Sequence, residues 1–173
     1  MVKSVVIDWI PVLSLLVSLV AVMFGPLIQI HIANKQIKAT NISSKRQVWI
    51  DELRTDIAKF LQYTARIEEL KRSNLELTYE DRKAVFDERA ESEFRAGELA
   101  ARIRLRLNPN EDAHQELYRA LAALAETSAG FEGDETADQR QIQIHEFNKA
   151  RDRVITLTQR ILKSEWNRVR KGE

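Results

Sequence analysis

Few side chains in this sequence are spaced for chemistry. Glu111-Asp-Ala-His114 is an E-x-x-H step, which puts a carboxylate and an imidazole one helical turn apart. Carboxylate-bridged di-iron bundles use that step twice. Here a second copy is missing, because Ile142 stands three residues before His145. Glu111 and His114 are therefore expected to be surface residues near a helix start. His145-Glu146-Phe-Asn-Lys149 has Lys where a zinc-protease helix needs its second His. His31, at the edge of an apolar run, reads as interfacial. The absence of Cys removes disulfides, thiolate metal sites and a thiol nucleophile. There is no glycine-rich phosphate loop and no nucleophile elbow. Paired carboxylates carry no weight among 26 acids in 173 residues. The expectation is a non-enzyme with no catalytic residue, metal site or cofactor.

Charge sharpens that expectation. Lys and Arg number 27 against 26 acids, a net charge of +1. Arg102, Arg104 and Arg106 are interrupted by Ile103 and Leu105 rather than by aromatic residues on which bases stack, so no nucleic-acid partner is expected. Trp49 and Trp166 read as packing or interfacial residues. With only 5 Gly and 3 Pro and abundant helix formers, the chain suits long helices, not a turn-rich β architecture.

The first element is apolar. No charged residue falls between Asp8 and Lys35, and Ile10–Ile28 is 19 residues of almost purely apolar side chains. A helix needs about 20 such residues to cross about 30 Å of hydrocarbon. A soluble core helix would show a polar face. A cleaved leader would show a basic start and a small-x-small exit after a shorter apolar run, whereas Asp8 sits beside this run and Phe24-Gly25-Pro26-Leu27 is a poor exit. Residues 1–34 are thus expected to be a short external N-terminus and a transmembrane helix. Asp8 caps it, Trp9 lies in the interfacial belt, and Gly25-Pro26 bends it. Residues 35–44 form a basic juxtamembrane joint. Lys35, Lys38, Lys45 and Arg46 follow the span with no acid before Asp51, so the positive-inside rule puts residues 45–173 in the cytoplasm. Asn41-Ile42-Ser43 matches a glycosylation sequon, silent on that side.

Residues 45–173 are expected to form an antiparallel bundle of about four helices, which makes the fold all-α. Ser44-Lys-Arg-Gln47 offers a capping box for a restart, or the helix runs through. Ile50, Leu53, Ile57, Phe60, Thr64 and Ile67 recur at 3-4-3-4-3 spacing, a bundle or coiled-coil face. From Glu80 to Leu107, Phe86, Ala90, Phe94, Gly97 and Ala101 share one line, with Leu99, Ile103 and Leu107 beside it. Asn108-Pro109-Asn110-Glu111 reads as an N-cap with Pro at the first helical position, opening a third helix with Leu117, Leu121 and Leu124 inward. Thr136-Ala-Asp-Gln139 caps a fourth, where Ile144, Phe147, Ala150, Val154, Leu157 and Ile161 keep the spacing and Trp166 and Val169 extend it.

Alternating helices would gather Lys35, Lys38, Lys45, Arg46, Arg102, Arg104, Arg106, Arg168, Arg170 and Lys171 at one end. Glu68, Glu69, Glu76, Glu80, Asp81, Glu132, Asp134, Glu135 and Asp138 would gather at the other. The basic end is expected to meet anionic inner-leaflet lipid, with each cation contributing about 1 kcal/mol near the surface. The same cations also complement helix C-termini.

Lys45-Arg-Gln-Val-Trp-Ile-Asp-Glu-Leu-Arg54, Leu105-Arg-Leu-Asn-Pro-Asn-Glu-Asp-Ala-His114 and Ile161-Leu-Lys-Ser-Glu-Trp-Asn-Arg-Val-Arg-Lys171 resemble stretches in a loosely defined group of uncharacterised bacterial single-span membrane proteins, some carried on mobile elements. The resemblance implies a bacterial inner-membrane setting and no activity. The expected role is a membrane-anchored, non-enzymatic interaction or scaffold protein that forms a homo-oligomer, because a span plus a heptad face favours self-association, with a cytoplasmic protein as a further partner. The alternative is an oligomeric membrane-perturbing effector or channel, with Ser14, Ser18, Gln29 and His31 lining a pore.

Overall fold

A computed structural model describes residues 4–73, 78–129 and 136–171. Among the described residues every regular element is a helix: α1 (Ser4–Ser73), α2 (Tyr79–Arg106), α3 (Asp112–Ala129) and α4 (Ala137–Lys171). Glu76, Glu132, Asp134 and Glu135, expected at an acidic end, lie outside the described residues. The chain divides into two compact units, one up to Lys45 and one of Arg46–Lys171. Each is taken by itself.

In the N-terminal unit, the apolar run is helical and uncovered. Leu15 is 72% exposed and Val22 71%, and none of the most apolar window is buried. This helix is long and apolar enough to cross a membrane. Pro11 and Pro26 both lie within it. The Ser14 hydroxyl donates to the Pro11 carbonyl at 2.9 Å, a bond inside its own helix. No restart occurs at Ser44, because α1 continues through Thr40-Asn-Ile-Ser-Ser44.

The second unit is a four-helix bundle of alternating direction, and its ion pairs give the order. Arg66 of α1 meets Glu88 of α2 while Glu52 meets Arg106, so those two helices are antiparallel. Glu116 of α3 and Glu111, just before that helix, meet Arg160 and Arg168 of α4 in the same sense. Arg46 at the start of this unit meets Glu165 near the end of α4.

Local signals explain where the helices start. Thr78 caps α2, its hydroxyl oxygen accepting the Asp81 N–H at 3.3 Å. Thr136 and Gln139 form a reciprocal capping box on α4: the Thr136 oxygen takes the Gln139 N–H, and the Gln139 side chain takes the Thr136 N–H at 2.8 Å. The third helix starts later than the Asn108-Pro109 signal predicts. Asn108 accepts the Asn110 N–H with its side chain at 3.0 Å, making a local turn instead of a cap. The helix then begins at Asp112, with the Glu111 carbonyl accepting from His114 and Gln115.

Ile50, Leu53, Ile57, Phe60 and Ile67 of α1 are all buried, as are Leu117, Leu121 and Leu124 of α3 and Phe147, Val154, Leu157 and Ile161 of α4. On α2 only one of the two apolar lines faces in. Ser92, Ala96, Leu99 and Ile103 are buried, whereas Phe86, Ala90, Phe94, Gly97 and Ala101 are exposed. The α4 face also differs from the spacing: Glu165, one turn beyond Ile161, is buried, and Trp166 is half exposed. A periodic pattern shows that a stripe exists, not which of two stripes on opposite sides of a helix its neighbours cover.

Ile103→Ala removes side-chain volume from a fully buried site and is expected to cost about 2–5 kcal/mol. Ile142→Ala, at a site 58% exposed, should change stability by less than about 0.5 kcal/mol. Denaturant unfolding followed by circular dichroism reads both; equal losses would refute this assignment of the core.

Candidate functional site

The most concentrated polar arrangement lies where α1, α2 and α3 meet. Asp56 projects from α1 with its side chain only 3% exposed. A bare carboxylate there would lose most of its hydration, so both oxygens need partners. Arg102 contacts one at 3.0 Å and the Arg106 Nε–H donates to the other at 3.0 Å. Arg106 also donates to Glu52. Residues 102 and 106 are one turn apart on α2, as 52 and 56 are on α1, so the two pairs match in antiparallel register. Burial pulls the Arg106 guanidinium down, but hydrogen bonds to Asp56 and Glu52 outweigh it and hold it above the ordinary arginine value.

Beside this clamp, the Trp49 indole N–H donates to the Arg106 carbonyl at 3.1 Å. That carbonyl belongs to the last turn of α2, where helix acceptors lack intrahelical donors. Trp49 also stacks on His114, ring centroids 5.9 Å apart and planes at 23°. His114 is buried, not a surface residue as the sequence reading expects. Its Nδ1 accepts the Asn108 N–H at 2.9 Å, which puts the ring's proton on Nε2. Nε2 lies 3.9 Å from Glu111, too far for a hydrogen bond. Glu111 and His114 instead each bond to Asn108, which ties the start of α3 to the α2–α3 corner.

The sequence-predicted basic residues fall into different classes. Arg46 pairs with Glu165, and Arg168 with Glu165 and Glu111. Arg102 and Arg106 are in the Asp56 clamp. Four of the expected lipid-facing cations are therefore turned toward acids of the bundle itself. Arg104 lies over the Tyr118 ring at 4.9 Å. Trp9, Lys35, Lys45, Arg170 and Lys171 are exposed. The Lys38 side chain lies outside the described residues. The expected far end also holds a buried pair, Lys71 and Glu68 at 3.9 Å.

An open groove of about 570 Å³ runs between α1 and α2, bordered by Arg66, Glu69 and Glu88. Arg66 bonds to both acids, which hold it above its ordinary value, so the groove's charges are matched. Among the described residues, no group of three or more His, Asp or Glu side chains is arranged to hold a metal ion. Asp56, His114 and Glu165 were not legible as interior residues. The available signal was the matched i,i+4 spacing of Glu52/Asp56 and Arg102/Arg106.

No protein-family model matches the chain, and no curated protein or solved structure is significantly similar to it.

The clamp predicts an asymmetry. Arg106→Leu leaves the buried Asp56 with one partner and should cost about 3 kcal/mol. Asp56→Asn releases two arginines that reach solvent and should cost about 1.5 kcal/mol. Unfolding midpoints of the full chain in detergent distinguish them, and the reverse order would show that Asp56 does not depend on Arg106.

Proposed function

We propose that this protein is a membrane-anchored, non-enzymatic interaction protein, held in a bacterial inner membrane by the N-terminal part of α1, with the four-helix bundle in the cytoplasm. The carrying observation is the uncovered apolar run: Ile10–Ile28 contains no charge, and the exposed side chains of Val12 to Phe24 meet no other part of the described chain. In water that surface would drive association. In hydrocarbon, Leu, Ile, Phe and Val contribute about 0.3–0.6 kcal/mol each near the bilayer centre. Orientation rests on Lys35, Lys38, Lys45 and Arg46 against Lys3 alone in the residues before the run.

Anionic lipid is the proposed surface partner of the juxtamembrane lysines. The bundle's own arginines add less than their number implies, because Arg46, Arg102, Arg106 and Arg168 already have acids. Self-association completes the reading. The pore alternative has less behind it, since the Ser14 hydroxyl is committed to the Pro11 carbonyl.

The absence of Cys makes the topology directly testable. With a membrane-impermeant maleimide on intact cells, Ser4→Cys should label and Ser164→Cys should label only after lysis. Labelling of Ser164→Cys in intact cells would overturn the orientation. Loss of residue 4 from the mature chain would mark a cleaved leader instead of an anchor.

A further inference from the structure

The apolar line that α2 turns away from the core comprises Phe86, Ala90, Phe94, Gly97, Ala101 and Leu105, all exposed. Phe86 and Phe94 are each 69% exposed and Leu105 87%. Isolated exposed apolar residues need no explanation, but a continuous helical line with two aromatics does. The steps along it are 4-4-3-4-4, the same read in either direction. A second α2 laid antiparallel, with a two-fold axis between residues 95 and 96, therefore meets it in register. Phe86 faces Leu105 of the second copy, Ala90 faces Ala101, and Phe94 faces Gly97.

Size and charge both fit that pairing. A Cβ built on Gly97 has nothing within 4 Å, so the glycine leaves open space where a facing ring can seat. Ala90 and Ala101 allow the backbones to approach, and Phe86 with Leu105 closes each end. A shallow crossing of about 20° keeps the line in contact along its length, centred on Phe94 and Gly97. Residues 79–93 carry six acids and three bases; of the four bases in residues 94–106, Arg102 and Arg106 are turned to Asp56, which leaves Arg95 and Arg104 beside Glu98. Parallel pairing would set acidic half on acidic half. Antiparallel pairing sets each acidic half on a basic one, bringing Asp87 toward Arg104 of the second copy.

We infer that the outer face of α2 is a homodimer interface in which two copies pair antiparallel, Phe94 of each over Gly97 of the other. The inference rests on the proposed self-association and names its surface. The pair points the two Arg46 ends in opposite directions. In detergent no bilayer constrains those ends.

The test uses the full chain in detergent, which has no native Cys. Ala90→Cys and Ala101→Cys variants carrying tags of different size are mixed and oxidised. The inference expects the mixed 90–101 cross-link to exceed both self-cross-links several-fold. Stronger self-cross-links would mean parallel pairing and overturn it. Separately, Phe94→Asp and Gly97→Leu should convert a dimeric mass by light scattering to a monomeric one, weakening association about tenfold or more with helicity unchanged. A dimer that survives both substitutions uses another surface, which sinks this inference and leaves self-association standing. A monomeric wild type sinks both, including the case where lipid or another protein covers the line. A cross-linked dimer from a chain that never enters membranes would keep this inference and remove the anchor.

Discussion

The apolar run of α1 imposes the condition on which the rest of the proposed account depends. Twelve Leu, Ile, Val or Phe side chains fall within Ile10–Ile28, and the nine of them whose side chains are described are exposed. A helix satisfies its own backbone hydrogen bonds, so it can sit in hydrocarbon, where an uncharged run of this length is favourable. Pro11 and Pro26 remove backbone donors within that helix. The first falls near its start, where the loss is small; the second leaves a carbonyl one turn back without its usual N–H. In the proposed account the first part of α1 lies in lipid and the remainder of the same helix serves as a bundle element.

Within the bundle, the polar groups are organised by burial. Asp56 is enclosed by core residues and is matched by two arginines from the facing helix. Glu165 is enclosed in the same way and is matched by Arg46 and Arg168. Such pairs add little net stability compared with apolar residues of the same size, but each is costly to half-remove. Their effect is to fix register. Asp56 and Glu52 reach Arg102 and Arg106 only at one antiparallel offset, and the Trp49 indole reaches the end of α2 only at that offset.

Much of this was legible in the sequence. Four helices, the Thr136–Gln139 capping box, and the inward faces of α1, α3 and α4 all follow from 3-4 spacing and cap chemistry. What was not legible required knowing the neighbours. Periodicity places Phe94 and Leu99 on lines on opposite sides of α2, and only the position of α1 and α3 decides that Leu99 goes in. His114 reads as surface until Trp49, more than sixty residues earlier, is laid on its ring. The Asn108-Pro109 signal was a real one, but the Asn108 side chain satisfied a turn N–H before a helix could use it. Basic residues counted by position form a cluster; paired with their actual acids, four of them belong to the bundle interior and its rim.

The central claim is that one helix serves two solvents, its first part lipid and its last part the bundle. Alkaline carbonate extraction of membranes tests it most directly. The full chain is expected to stay with the membrane pellet, and a chain lacking residues 1–34 to be released while retaining its helical signal. Release of the full chain at alkaline pH would contradict the account.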